Sequence, residues 1–303
     1  MQKTDWHGVI PAITTPLHED LTIDHEFLAN HVKMMVDAGC TAIVTPGSLG
    51  EAGTLSLREK EAIWNTCVTS VGSRVPIVAA ISALSTAQAI EYAQQAQVSG
   101  CTGLMVLPPY AYVGTWRETR AHFNAIFQAT PLSCMLYNNP IAYGTDVSPT
   151  ELAELTAEAP NLHAIKESSG DIRRLRAITE IIDDRLALLV GIDDVVVEGM
   201  DAGAVGWIAG LVNALPYESV KLFELTKNGE REEMEALYKW FLPLLRLDAV
   251  PEFVHLVKLV QQEFDMGSER VRQPRLPLQG PVREHALKVI AEAKRTRSQL
   301  TLS

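Results

Sequence analysis

One lysine stands at the end of a short apolar segment and is followed by a polar turn. The segment runs from Asn161 to Lys166, and Glu-Ser-Ser-Gly-Asp171 continues it. A lysine in an apolar strand either extends its amine to water or lies in a pocket, where desolvation lowers its pKa and leaves a nucleophilic amine. The pocket case is the chemistry of Schiff-base enzymes, so Lys166 is a candidate nucleophile. Taken alone, this segment favours a strand-end lysine that faces solvent, since most lysines are exposed.

Three more apolar segments are followed by residues that can assist such a lysine. Gly47-Ser48-Leu49-Gly50 can direct backbone N–H groups and a hydroxyl at a carboxylate. Tyr110 and Tyr137 follow two other segments, and a phenol both accepts and donates protons. Glycine turns and rim tyrosines are common, so these residues indicate chemistry only if the fold brings them near Lys166.

Between residues 8 and 228, short apolar segments alternate with amphipathic segments, and these elements must position the candidate residues. Eight apolar segments without polar alternation are typical of parallel strands covered on both faces. They lie at residues 9–14, 42–45, 77–80, 103–107, 132–137, 163–166, 187–190 and 204–208. Amphipathic segments with apolar residues at i, i+3, i+4 and i+7 lie between them, at 25–38, 57–71, 86–98 and 172–182 among others.

This alternation predicts an α/β protein with a (β/α)8 TIM barrel over residues 1–228. A doubly wound open sheet is the alternative, but no Gly-x-Gly-x-x-Gly motif follows the first strand. Residues 229–303 show helical patterns only, and we expect them to form a C-terminal helical extension packed on the barrel. The active site of such a barrel lies at the carboxyl ends of its strands, where Ser48, Tyr110, Tyr137 and Lys166 would meet.

Composition excludes several classes of function. Among 303 residues, 47% are hydrophobic and 21% charged, as in a globular protein. The net charge of −11 argues against nucleic-acid and membrane partners. The sequence has no secretory signal pattern and no run of eighteen apolar residues, so we expect a cytoplasmic protein. The four cysteines lack metal-ligand spacing, which predicts reduced core residues and no metal site.

The ordered motifs of the chain resemble those of the dihydrodipicolinate synthase and N-acetylneuraminate lyase superfamily. These motifs are Gly47-Ser48-Leu49-Gly50-Glu51, Leu107-Pro-Pro-Tyr110, Tyr137-Asn138-Asn139-Pro140, Ile165-Lys166-Glu167-Ser168-Ser169-Gly170-Asp171 and Gly191-Ile192-Asp193-Asp194. The similarity covers almost the whole chain. It implies a (β/α)8 barrel in a homo-oligomer, a tetramer or dimer, with class I Schiff-base chemistry on a small 2-oxo acid and no cofactor. By this resemblance Lys166 is the Schiff-base lysine, Tyr137 the proton-shuttling tyrosine and Ser48 a relay hydroxyl that orients the substrate carboxylate.

The departures from the family pattern narrow the substrate. Where the synthase places an arginine that binds the carboxylate of its aldehyde partner, this chain has Ala142, which argues against the synthase reaction. Leu49 replaces the second hydroxyl of the glycine turn, and Ala111 aligns with a tyrosine that some members lend to a neighbouring subunit. The usual proton relay is therefore incomplete. We expect Ser48 and Tyr137 to act without it.

One branch of the superfamily fits best. Tyr-Asn-Asn-Pro-Ile-Ala-Tyr-Gly144 and the segment from Gly267 to Leu278 are similar to enzymes that act on the cyclic imine Δ1-pyrroline-4-hydroxy-2-carboxylate. The resemblance implies its deamination to 2-oxoglutarate semialdehyde and ammonia. Alternatives are a 2-keto-3-deoxy sugar acid aldolase or dehydratase, an N-acetylneuraminate lyase-like aldolase, and a non-catalytic protein that binds a 2-oxo acid.

Further residues are expected to line the pocket or to support it. The predicted substrate-binding residues are Gly47, Leu49, Tyr110, Ala142, Tyr143, Gly191 and Ile208. His122 is interpreted as a packed or capping residue rather than a catalyst. Asp193 and Asp194 follow the seventh strand, where they can form a site pair, although a helix N-cap is the favoured use of one of them.

Overall fold

The computed structural model describes residues 1–299, and eight parallel strands form its central sheet. The strands are β1 Gly8–Pro11, β2 Ile43–Thr45, β3 Ile77–Ile81, β4 Gly103–Val106, β5 Ser133–Asn138, β6 Leu162–Glu167, β7 Ala187–Val190 and β8 Gly206–Ala209. Neighbours along the chain pair from β2 to β8, and β8 pairs with β1. The backbone N–H of Ile13 donates to Val44 at 3.1 Å and closes the sheet. The predicted TIM barrel is confirmed, and the alternative prediction of an open doubly wound sheet is wrong.

Helices surround the barrel and follow its strands. They are α1 His25–Asp37, α2 Leu57–Val71, α3 Thr86–Val98, α4 Trp116–Gln128, α5 Pro140–Tyr143, α6 Pro149–Glu158, α7 Arg173–Ile182, α8 Val196–Asp201, α9 Pro216–Asn228, α10 Arg231–Leu245, α11 Phe253–Glu263 and α12 Gly280–Thr296. Local signals start several of them. In α2, Ser56 and Glu59 form a reciprocal capping box that satisfies N–H groups of the first turn. None of these helices has the length and apolar character needed to cross a lipid bilayer.

Successive side chains of each strand point to opposite faces, as the pleat requires. Ile77, Ala79, Ile81, Leu104 and Val106 pack outward against the helices, whereas Val78, Ala80, Met105, Met135 and Ala164 fill the barrel interior. Tyr137 lies two residues after Met135, and Lys166 lies two residues after Ala164. Both side chains therefore point into the barrel at the carboxyl ends of β5 and β6.

Several strand ends differ from the sequence expectation. The first strand ends at Pro11 rather than near Thr14, because the Thr14 N–H donates to the side chain of Asn213 instead of a neighbouring strand. The fifth strand includes Asn138, whose side-chain oxygen accepts from the N–H of Val147 at 2.9 Å. The sequence pattern marks apolar runs, so polar strand residues with side-chain partners escape it.

The C-terminal helices reach the barrel through polar contacts as well as apolar ones. In α11, Gln261 accepts from the hydroxyl of Thr14 at 2.8 Å, and Lys258 donates to Glu51 at 2.6 Å. The division into a barrel over 1–228 and an extension over 229–303 stays a prediction, and its residues 300–303 lie outside the described ones.

Candidate active site

A cavity of about 440 Å³ opens at the carboxyl ends of the strands. Its lining residues are Ala12, Gly47, Ser48, Leu49, Met105, Tyr137, Asn139, Ile141, Ala142, Lys166, Ser168, Gly191, Ile192, Ile208, Gly210, Asp248, Ala249, Val250, Pro251 and Phe253. The structure thus brings together eight of the ten residues expected from the sequence. The other two, Tyr110 and Tyr143, stand behind this lining in a row of aromatic rings.

Lys166 lies deep in the cavity beside Tyr137. The two residues are partners in the register of β5 and β6, and the Lys166 amine lies 4.1 Å from the centre of the tyrosine ring. Burial lowers the pKa of Lys166 to about 8, although the carboxylates of Asp248 and Asp193 act in the opposite direction. A substantial neutral fraction of this amine therefore exists near neutral pH, as nucleophilic attack requires.

We expect the rate at which Lys166 forms an adduct with a 2-oxo acid such as pyruvate to rise with pH and to level off above about 8. The neutral amine is the attacking species, and with a pKa of about 8 roughly one tenth of it is neutral at pH 7. Borohydride trapping across neutral and alkaline pH measures this rate by mass spectrometry. A rate that still climbs steeply at about pH 10, as for an exposed lysine, would contradict the burial argument.

Gly191, at the end of β7, leaves room for the lysine side chain. A Cβ at this position would lie 2.7 Å from both Cγ and Cε of Lys166 and would also collide with the hydroxyl of Ser168. The absence of a side chain at Gly191 therefore sets the path of the Lys166 stem.

Gly191→Ala is expected to slow adduct formation by about 10²-fold, because a displaced nucleophile no longer meets its target at attacking distance. Trapping with borohydride and pyruvate gives the rate. Gly53→Ala is the matched control, since Gly53 has open space around it and no positive φ. Equal rates for the two variants would show that the close approach at Gly191 does not position the lysine.

Tyr137 is held as a proton donor. Its hydroxyl accepts a hydrogen bond from the side-chain amide of Asn139 at 3.0 Å. Burial raises the pKa of Tyr137 to about 12, so the phenol keeps its proton at neutral pH. A protonated phenol next to the lysine can give its proton to a leaving group and then recover one.

Ser48, which lines the cavity, forms a hydroxyl pair with Tyr143 behind it. The Ser48 hydroxyl is hydrogen-bonded to the Tyr143 hydroxyl. The Tyr143 ring meets Tyr137 edge to face, with 5.9 Å between ring centres, and lies 6.5 Å from the ring of Tyr110. The sequence expectation gave Tyr143 a substrate-binding role only, and its contact with Ser48 adds a second hydroxyl to the glycine turn.

The interpretation of Asp193 or Asp194 as a helix N-cap is wrong, because the N-cap residues after β7 are Ile192 and Val195. Asp193 has other partners. Its carboxylate accepts hydrogen bonds from the Trp207 indole at 2.9 Å and from the backbone N–H groups of Gly210 and Leu211 at 3.1 and 2.7 Å. The residue before the short helix at Asp193–Val195 is Ile192, and no side chain caps it. Asp193 instead fixes the turn after β8, and burial raises its pKa to about 6.

Two buried carboxylates received no role from the sequence, and one of them, Asp248, lies outside the strand ends that the sequence reasoning searched. Asp248, in the connection between α10 and α11, lines the same cavity as Lys166 and influences its pKa. Glu51 ends the glycine turn of Ser48 in a left-handed conformation with φ of 58°, and its buried carboxylate accepts from the amine of Lys258 and the N–H of Arg272. The sequence signal for Asp248 is limited to the break between two helical patterns near residue 248.

His122 and the four cysteines, which were not interpreted as catalytic, lie in the core. His122 is buried and shares a hydrogen bond of 2.9 Å with the hydroxyl of Thr86, so it joins α4 to α3. The four cysteines are buried and unpaired.

A (β/α)8 barrel that holds a buried lysine beside a tyrosine at the carboxyl ends of its strands has the architecture of a barrel lyase. The chain belongs to the Dihydrodipicolinate synthetase family, whose sequence profile matches residues 5–293. It is therefore a lyase of that family that acts on a small molecule.

Individual relatives agree with this assignment. The chain is 32% identical over 240 residues to a 4-hydroxy-tetrahydrodipicolinate synthase of Methanopyrus kandleri. This alignment covers 79% of this chain and 80% of the relative. The solved synthase of that name from Methylacidiphilum fumariolicum SolV superposes with a TM-score of 0.93 at 26% identity, covering 97% of this chain and 98% of the other. A dihydrodipicolinate synthase from Acinetobacter baumannii, solved with pyruvate, gives a TM-score of 0.90 at 28% identity, with 95% and 99% covered.

Proposed function

We propose that the protein is a class I lyase that forms a Schiff base through Lys166 with a small 2-oxo acid or its cyclic imine. The observation that carries this proposal is the Lys166 amine, buried in the cavity and 4.1 Å from the Tyr137 ring centre. The relative from Acinetobacter baumannii was solved with pyruvate, a 2-oxo acid, which supports the substrate class. Ser48 and the N–H groups of its glycine turn are suited to the substrate carboxylate.

The charges of the cavity argue against the synthase reaction for this chain. Among the lining residues in the described part of the chain, Lys166 is the only basic residue and Asp248 the only acidic one, and none is an arginine. Ala142 lines the cavity, and by the family resemblance it holds the position of the arginine that binds the second substrate's carboxylate in the synthase. An aldehyde partner with a carboxylate would be buried there without a counter-charge, which is costly.

The favoured reaction is deamination of Δ1-pyrroline-4-hydroxy-2-carboxylate. The Lys166 amine adds to C2 of the cyclic imine, the C2–N ring bond breaks, and a protonated imine remains on the lysine with a free amine at C5. Tyr137 gives its proton to the hydroxyl that leaves C4 as water and recovers a proton from C3, which the imine has acidified. The new double bond isomerises to an imine at C5. Hydrolysis at C5 and C2 releases ammonia and 2-oxoglutarate semialdehyde, so one water is consumed overall.

A second candidate is aldol cleavage of a 2-keto-3-deoxy sugar acid to pyruvate. It is favoured by the polar groups of Asn139, Ser168 and Asp248, which line the cavity and can bind substrate hydroxyls. The same lysine and tyrosine would serve this reaction.

Two assays on the purified full chain separate these reactions. Release of ammonia from the hydroxypyrroline carboxylate supports deamination, and release of pyruvate from keto-deoxy sugar acids supports the aldolase. If neither substrate turns over, both reactions fail. Borohydride reduction in the presence of pyruvate tests the whole class, because a non-catalytic binding protein would yield no covalent adduct on Lys166.

Tyr143→Phe is expected to lower turnover by about 10²-fold, because it removes the hydroxyl that passes protons to Ser48 while it keeps the ring. Initial rates on the preferred substrate measure the effect. Tyr112→Phe is the control, since that side chain is 58% exposed and is not a cavity-lining residue. If Tyr143→Phe and Tyr112→Phe turn over equally fast, the Ser48–Tyr143 pair is not part of the relay.

We also propose a homo-oligomer in the cytoplasm. Leu84, Tyr112 and Val113 are apolar, more than half exposed, and carried by the loops after the neighbouring strands β3 and β4. Exposed apolar side chains grouped in this way are typical of a surface that pairs with another subunit. Light scattering of the purified protein gives the number of copies, and a monomer at working concentration would contradict the proposal.

A further inference from the structure

The carboxylate of Asp248 enters the cavity from outside the barrel. Asp248 lies between α10 and α11, and its neighbours Ala249, Val250 and Pro251 line the same side of the cavity. The amine of Lys166 lines the same cavity, and the charges of the two groups interact. A substrate bound through Lys166 therefore shares its cavity with the Asp248 carboxyl group.

The turn after β8 gives this side chain its place. Gly210 lies against the Asp248 carboxyl group, and a Cβ at Gly210 would come within 2.6 Å of Asp248 Cγ. The N–H of Gly210 is in turn held by the buried carboxylate of Asp193. The Asp248 carboxyl group therefore packs against Gly210, whose backbone is held in place by Asp193.

Most of the surface around Asp248 is apolar. Ala249, Val250, Pro251 and Phe253 offer no hydrogen-bonding side chain, and no other carboxylate lines the cavity within residues 1–299. Burial and the nearby carboxylate of Asp193 raise the pKa of Asp248 well above its ordinary value, whereas the amine of Lys166 acts in the opposite direction. A second positive group, on the ligand, would stabilise the ionised form of Asp248, and a second carboxylate would be repelled.

We infer that Asp248 is the specificity-determining residue for a basic nitrogen on the substrate, pairing with the ammonium group that ring opening leaves at C5. This inference rests on the proposed function, since it requires a substrate bound through Lys166. When the amine of Lys166 replaces the ring nitrogen at C2, the C2–N bond breaks and the ring nitrogen becomes a primary amine, which takes a proton from solvent. The resulting ammonium group is the partner of the Asp248 carboxylate.

The test compares a cyclic imine and a 2-oxo acid whose adducts on the lysine differ in one group. Δ1-Pyrroline-2-carboxylate opens on the lysine to a five-carbon chain with a terminal amine but has no C4 hydroxyl to lose, and 2-oxopentanoate is the same chain without nitrogen. Borohydride trapping at increasing concentration of each gives two half-saturation concentrations, and their ratio cancels any general loss in a variant. We expect the unchanged chain to prefer the amine-bearing ligand.

Asp248→Asn is expected to reduce that preference by about 10-fold or more, because it keeps the shape and removes the charge. Asp248→Glu, which retains the charge, is expected to keep a larger share of the preference than Asp248→Asn. If instead Asp248 only modulates the charge of Lys166, Asp248→Asn will change the trapping of both ligands equally, and an unchanged ratio overturns the inference. Absence of adducts with either ligand on the unchanged chain would overturn the Schiff-base proposal itself, which is a distinguishable failure.

Discussion

Replacement of Lys166 by alanine is expected to abolish the borohydride-dependent adduct with pyruvate and to lower turnover by roughly 10⁴-fold or more. The physical reason is that this amine combines burial, a lowered pKa and a position in the cavity beside Tyr137. Mass spectrometry of the reduced protein and initial rates of product release measure the two effects. Circular dichroism of the variant serves as the folding control, because Asp193 and Asp248 lose a nearby positive charge in Lys166→Ala.

The chain offers a close control for this prediction. Lys60 in α2 is also buried, lies 4.3 Å from the ring centre of Tyr92, and has a pKa lowered to about 8 by burial. It is not among the cavity-lining residues. We therefore expect Lys60→Ala to keep the adduct on Lys166, which would show that location in the cavity, and not a lowered pKa alone, selects the nucleophile. An adduct on Lys60 would contradict this view.

Breaking the Glu51–Lys258 pair is expected to cost about 3–5 kcal/mol of the free energy of unfolding. The two side chains are each 2% exposed and meet at 2.6 Å, so Lys258→Met leaves a buried carboxylate without its main counter-charge. Urea unfolding followed by circular dichroism measures the loss. Because Glu51 ends the glycine turn of Ser48, we also expect weaker substrate binding at temperatures where the variant is folded.

Two variants show whether the cost comes from burial. Glu51→Gln combined with Lys258→Met removes both charges and should be more stable than Lys258→Met alone, since no unpaired charge remains. The exposed pair Arg231–Glu235, with side chains 84% and 61% exposed, is the surface control, and Glu235→Gln should cost no more than about 0.5 kcal/mol. Equal losses at the buried and exposed pairs would contradict the prediction.

The sequence was sufficient for the barrel because its signals are local. Each strand is a short apolar run and each helix has its own amphipathic period, so the order of elements could be read without tertiary contacts. The direction of Lys166 follows from the same reasoning, since strand side chains alternate between the two faces. What the sequence could not supply was the neighbour of each of these side chains.

Long-range partners account for the features that sequence reasoning missed. Glu51 and Lys258 are separated by 207 positions, and Ser48 and Tyr143 by 95, so no periodicity connects them. A local rule assigned one of Asp193 and Asp194 to a helix N-cap, but the N–H groups that Asp193 accepts from belong to the turn after β8. These donors come close to Asp193 only when the barrel has closed, and its hydrogen bonds to them replace the local contact of an N-cap.

The place of Asp248 in the chain has a consequence for how substrate range changes among related barrels. The nucleophile belongs to a barrel strand, whereas the opposing charge belongs to a connection between two peripheral helices. Residues 246–252 take part in no strand pairing, so this connection can change without altering the sheet, provided that Gly210 is kept to accommodate the residue at position 248. Grafting this one connection between relatives is a direct route to enzymes that retain the covalent step and accept a different second half of the substrate.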